Sequence, residues 1–170
     1  PERSFFIHPR PGDFSAGFQP SPLSPQVTLG PSGLSYRYIQ TIGVTGEPYQ
    51  TDADHLNLPF GVFVDGSNNL YVVEYNGQRL LKYNSAGFNQ LIIGRPGQPG
   101  YQEDHLVYPK DVAVRNDGHI WVVISHALKE YDADGNYVQS FPLDDPWESG
   151  DDNGHFNDPT SLAFDPAGLL

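Results

Sequence analysis

From Gly61 onward the apolar residues come in short runs, several of them alternating with polar positions, and each run is closed by Gly, Asn or Asp. Such runs predict strands rather than helices, and no long helical periodicity interrupts them. The first four are Gly61–Asp65, Leu70–Tyr75, Arg79–Tyr83 and Phe88–Gly94. Between them lie Gly66–Asn69, Asn76-Gly77 and Asn84–Gly87. Asn-Gly between apolar runs is a strong hairpin signal, because both turn positions then take φ > 0. The next four strands fall at Asp111–Arg115, His119–Ser125, Ala127–Asp132 and Asn136–Phe141, with Asp134-Gly135-Asn136 as the matching turn.

The pattern repeats. DHLNLPFGVFVDGSNNLYVV (54–73), DHLVYPKDVAVRNDGHIWVV (104–123) and GHFNDPTSLAFDPAGLL (154–170) align on His55/His105/His155, Pro59/Pro109/Pro159 and Leu70/Ile120/Leu170. Each set is spaced 50 apart (109 − 59 = 159 − 109 = 50), so the three copies of this segment stand in strict register. A period of this size marks arrays whose units cannot bury their apolar faces alone. Four antiparallel strands per unit is the arithmetic of a β-propeller blade, so the fold class is all-β. The connections over roughly 95–108 and 142–158 are Gly-rich and acidic. They gather on one loop face, the usual place for function.

Two regions flank this pattern. Residues 1–35 are dense in Pro, Ser and Gly and are expected to form an extended arm or linker, with Phe5, Phe6, Phe14 and Phe18 able to pin it to a surface. The propeller part runs over 36–170, with a D-type strand at Tyr36–Gly43, a C-type strand near Gln26–Leu29, and repeats beginning near 54, 104 and 154. Leu169-Leu170 falls in the middle of a B strand. Rings close with about four to eight blades, so the rest is expected from further chain or from other copies.

Charge narrows the partners. The formal net charge is −12, with Lys+Arg at 9 against Asp+Glu at 21. Such a surface repels phosphate and disfavours nucleic acid and anionic membranes, leaving cations or basic proteins. No apolar run approaches a membrane span. With no Cys, disulfides and thiol chemistry drop out. The Tyr-, Asn-, Gly- and Pro-rich, Lys-poor composition leans towards a secreted, extracellular protein.

Ile93-Gly94, Leu106, Pro109, Asp111–Val114, Asp117-Gly118 and Ile120–Val123 follow a recurring order, and Phe156-Asn157-Asp158-Pro159 begins it again. Over roughly 36–170 this resembles the NHL-repeat family of β-propellers. The resemblance implies a six-bladed ring, of which this chain covers about half. The stretch 91–115 is also similar to peptidyl-α-hydroxyglycine α-amidating lyases. In those zinc enzymes a His directly after the first Pro of a blade reaches a central zinc. The corresponding residues here are Phe60, Lys110 and Thr160, none a zinc ligand.

Several groups are candidates for chemistry. The in-phase His55, His105 and His155 could ligate a metal such as Zn, or could fix each loop between blades. Asp144, Asp145, Glu148, Asp151, Asp152 and Asn153 form an oxygen-rich loop suited to Ca or simply to solvent. Asp132–Asn136 begins like a calcium loop but lacks its closing Glu, and reads as a turn. Tyr71, Tyr75 and Trp121 read as inter-blade core. Trp147, with Asp151 and Asp152, is a binding candidate on the loop face. No phosphate loop, Ser-His-Asp grouping or carboxylate pair stands out. The expectation is a non-catalytic scaffold that binds a protein, peptide or matrix partner, or joins copies of itself. The alternative is a metal-dependent lyase or hydrolase with ligands in blades beyond this sequence.

Overall fold

The computed structural model describes residues 27–29, 34–36, 41–43, 52–142, 149–150, 152 and 154–170. Residues 1–48 and 49–170 form two compact units. In the first, β1 (Val27–Leu29) pairs antiparallel with β2 (Leu34–Tyr36), Thr28 opposite Ser35. The Pro-rich stretch 1–26 lies outside the described residues.

The second unit contains two four-stranded antiparallel meanders and no helix among the described residues. The first meander is β3 (Pro59–Val64), β4 (Leu70–Glu74), β5 (Arg79–Tyr83) and β6 (Asn89–Ile93). The second is β7 (Asp111–Val114), β8 (Ile120–Val123), β9 (Leu128–Tyr131) and β10 (Tyr137–Phe141). Alternation sends Phe63, Tyr71, Val73, Leu80 and Ile93 to one face of the first sheet. They meet Val112, Ile120, Val122 and Tyr131 from the second, giving one core between the sheets. Stacked meanders with adjacent first strands are how consecutive propeller blades pack. Gly61 permits the closeness: a Cβ there would lie 2.5 Å from the Lys110 carbonyl oxygen. Trp121, Val123 and Leu128 cover the outer face of the second sheet together with Phe156, Leu162 and Phe164. In the third repeat Asp165 N–H donates to the Leu169 carbonyl at 2.8 Å, closing the turn, but no strand ladder forms among the described residues.

The turns repeat a single chemical device. At Asp65, Asn84, Asp132 and Asp165 the side-chain oxygen accepts the backbone N–H two and four residues on, at 2.8–3.0 Å. The fourth residue of each turn (Asn68, Gly87, Gly135, Gly168) takes the left-handed conformation. Asp132–Asn136 is therefore a hairpin turn, as its sequence indicates.

One expectation is corrected. At Asn76-Gly77 neither residue has positive φ; Gln78 does, at 57°, and its N–H donates to the Glu74 carbonyl across a four-residue turn. Gly77 is required by proximity instead, since a Cβ would sit 2.0 Å from a Glu74 carboxylate oxygen. The 50-residue spacing of the anchors holds through the second strand of each meander, and the later strands stand 48 apart, as their positions in the sequence imply. Val64↔Leu70 and Val114↔Ile120 are 50 apart, but Leu70 pairs with Tyr83 while Ile120 pairs with Tyr131. From the third strand onward the offset is 48 (131 − 83 = 48). The cause is the second turn, which closes over only Ser125-His126, with Ile124 N–H donating to the Ala127 carbonyl.

Candidate functional site

The connections leading into each meander place the in-phase histidines. Asp52 accepts the His55 ring Nδ1 at 2.7 Å and the Asp54 and His55 backbone N–H groups at 2.9 Å. Burial would raise the Asp52 carboxyl, but these hydrogen bonds outweigh it and hold it below the ordinary range. Asp152 does the same for His155 Nδ1 at 2.8 Å and Gly154 N–H at 2.7 Å. In the second repeat Gln102 occupies the position of Asp52, so His105 Nδ1 turns to Asp104 at 2.6 Å. Each imidazole is thus tied to an aspartate of its own loop. Among the described residues no three His, Asp or Glu side chains converge where one ion could be held.

The histidine carbonyls are clamped from inside the blade. Arg79 Nη2 donates to the His55 carbonyl at 3.0 Å, and Lys129 Nζ donates to that of His105 at 2.8 Å and of Gln102 at 2.5 Å. Tyr83 and Tyr131 hydroxyls add bonds to the Ala53 and Glu103 carbonyls. Arg79 is neutralised by Glu74, Nε to Oε2 at 2.5 Å, with both side chains wholly buried. Lys129 has no carboxylate in contact among the described residues, and burial pushes its ammonium down to about 8. The two blades solve one problem differently. Arg79 stands opposite Glu74, whereas Lys129 stands opposite Val122, at the level of Leu81 in the first blade.

A second recurring construction lies where the chain enters each first strand. Leu58, Tyr108 and Asp158, each just before a proline, all have positive φ (52°, 45° and 55°). Proline disfavours helical backbone in the residue before it, and a left-handed non-glycine residue is strained by about 1–3 kcal/mol. The second and third of these side chains reach a preceding-repeat partner. Tyr108 stacks on Tyr75 at 5.0 Å between centroids, and Phe60 meets the same Tyr75 at 5.7 Å. Asp158 pairs with Lys110 Nζ, and Lys110 holds its carboxyl below the usual range. Lys110 is the repeat counterpart of Phe60 (110 − 60 = 50), and Asp158 that of Tyr108. One gap between repeats is thus bridged by aromatic rings and the next by an ion pair.

Sequence patterning missed this site. Tyr75 was expected in the core, yet it lies beyond β4 and is half-buried on the rim, whereas Tyr71 and Trp121 are buried as expected. The 50-residue spacing of the three residues before proline was the available signal. Trp147, Asp151 and the acidic residues Asp144, Asp145 and Glu148 lie outside the described residues. Asp152 caps its own loop.

No family model matches the chain, and no curated protein matches it. Among solved structures it is similar to virginiamycin B lyase from Staphylococcus aureus at 16% identity, with a TM-score of 0.44. That alignment covers 66% of this chain and 35% of the neighbour. A catalytically inactive form of the Staphylococcus aureus enzyme with quinupristin aligns at 16% identity over 64% of this chain and 31% of its own, TM-score 0.40. A streptogramin B lyase aligns at 17% over 66% and 31%, TM-score 0.40. The chain spans about a third of the length of each neighbour.

Proposed function

We propose that this chain is part of an NHL-type propeller, six-bladed when whole, that serves as a non-catalytic binding scaffold in an extracellular setting. The repeated sequence order and the two stacked meanders support the architecture. One observation carries the binding role: Phe60 and Tyr108 flank Tyr75 at the blade start with 59% and 42% of their surfaces open. Rings packed on one another at the rim offer contact area at little entropic cost, the property of an interface anchor. The positions that hold zinc ligands in the amidating lyases are occupied here by latch residues: Phe60 in the aromatic stack, Lys110 in an ion pair.

The test is site-specific photocrosslinking in an extract of the source. A benzoylphenylalanine at position 60 is expected to give a discrete adduct that the same group at Gln90, on the outer strand, does not. Equal labelling at both positions would overturn the reading. So would stoichiometric zinc by native mass spectrometry with no adduct at position 60, which would favour the metal-dependent lyase.

A further inference from the structure

We infer that the groove between the β3–β4 and β7–β8 turns is a binding site for a small organic carboxylate, anchored by Lys82. This goes beyond the scaffold reading and does not depend on it. The groove lies at the end of β3 opposite Pro59, away from the entry to the strand. Its volume is about 400 Å3, and Asp65, Ser67, Lys82, Arg115 and Asn116 contribute its polar lining.

Lys82 is a cation without an anion. Arg79, Arg95, Lys110 and Arg115 each pair with a carboxylate, and Lys129 donates to two backbone carbonyls. Lys82 Nζ instead stands over the Tyr71 ring, 5.2 Å from its centroid, with no carboxylate or hydrogen-bond acceptor among the described residues. The ring attracts the ammonium, which still has three N–H groups to donate. Asp65 lines the same groove but is fully occupied. Its Oδ1 accepts the Ser67 and Asn69 backbone N–H groups at 2.9 Å, and its Oδ2 accepts Asn69 Nδ2 at 2.8 Å and the Tyr71 hydroxyl at 3.2 Å. Four donors fill the capacity of one carboxylate.

The second blade shows the same position with its charge satisfied. Glu130 stands opposite Trp121 there, as Lys82 stands opposite Tyr71. It accepts His119 Nδ1 at 2.8 Å and Gln139 Nε2 at 2.5 Å, and pairs with Arg115 at 3.3 Å. Asp65 is the repeat counterpart of Arg115 (115 − 65 = 50), so the first blade carries the same pair with its signs exchanged. That pair stays open, because the Asx turn already occupies both Asp65 oxygens.

The ligand that fits supplies one negative charge on an apolar body. A carboxylate gives Lys82 a charge-assisted hydrogen bond. The Ser67 hydroxyl and the Asn116 amide, neither with a partner among the described residues, line the same groove as further donors. Phe63, Val64 and Val114 make the rest of the wall apolar. A phosphate dianion is matched less well, since Arg115 is committed to Asp117 at 2.7 Å and to Glu130, leaving Lys82 alone. The net charge of −12 opposes any anion at long range, but salt screens that field beyond about 8 Å and leaves the contact with Lys82 in place.

Fluorine NMR titration tests the inference, with 4-fluorophenylacetate as the probe and 4-fluorophenylacetamide as the uncharged probe of the same shape. The carboxylate is expected to bind with a Kd of about 1 mM and the amide about tenfold more weakly. Lys82→Met is expected to reduce the affinity for the carboxylate to that for the amide. Lys82→Arg keeps the charge and is expected to stay within about threefold of the unaltered protein. Arg95→Met removes an exposed cation elsewhere and is expected to change nothing. Equal affinity for the two probes would overturn the inference, and this comparison uses the unaltered protein, so it needs no variant to fold. Binding that survives Lys82→Met would overturn it as well. So would an equal loss in Arg95→Met, which would reduce the effect to general charge.

Discussion

Removing Arg79 creates a buried charge with nothing to face, and the cost can be worked from the structure. Its Nε and Nη2 groups bond Glu74, both side chains being inaccessible to water, and Nη2 also holds the His55 carbonyl. Breaking such a pair from one side costs about 3–5 kcal/mol, mostly from the stranded partner. In Arg79→Met, Glu74 keeps one donor, the Asn57 backbone N–H at 3.0 Å. The second blade has Ile124 and Ala127 at the structurally equivalent places, so an apolar pair is compatible with this architecture. The double variant Glu74→Ile/Arg79→Met removes the stranded carboxylate. It loses only the Asn57 bond in addition, worth about 1–3 kcal/mol, because the His55 carbonyl loses its donor in both variants. The double variant is therefore expected to be more stable than Arg79→Met by about 2 kcal/mol, despite carrying one more change. Equilibrium unfolding in urea, followed by tryptophan emission, measures this; urea is preferred because guanidinium would screen the charges. Additivity, with the double variant less stable than Arg79→Met by the full cost of Glu74→Ile alone, would refute the reasoning.

Other outcomes follow from named contacts. Lys129 titrates at about 8 when folded and at 10.5 when unfolded. Between these values the unfolded chain holds more protons, so stability is expected to rise with pH, by up to about 3 kcal/mol across the window. Comparing wild type with Lys129→Met between pH 7.5 and 9.5 isolates this slope from the tyrosines, such as Tyr71, pushed up to about 12. An unchanged slope in the variant would rule it out. Gly77→Ala is expected to destabilise by about 2–4 kcal/mol, as overpacking against Glu74 rather than backbone strain. In a Glu74→Ala/Arg79→Met background, which removes the carboxylate and strands no charge, the same substitution is expected to cost less in the same unfolding assay. At the turns, Asp132→Asn is expected to be tolerated better than Asp132→Ala, because Asn84 already fills the same role. Thermal midpoints in reversed order would refute that.

The sequence by itself determined the blade. Period-two runs, turn residues at fixed offsets and the 50-residue anchors are local properties, and β3–β10 fall within about two residues of where they point. Local chemistry likewise decided the Asx turns at Asp65, Asn84 and Asp132, since acceptor and donors lie within four residues of one another. The tertiary structure decided what depends on neighbours. Neither Asn76 nor Gly77 takes positive φ, because the turn after β4 runs over four residues and hands that conformation to Gln78, whose side chain accepts the Tyr108 N–H of the next repeat. Whether His55, His105 and His155 gather or stay apart depends on distances between blades that spacing along the chain does not carry; each found its partner in its own loop. The aromatic stack was hidden for the same reason. Phe60 and Tyr108 are 48 residues apart, and only the stacking of one sheet on the next brings both to Tyr75.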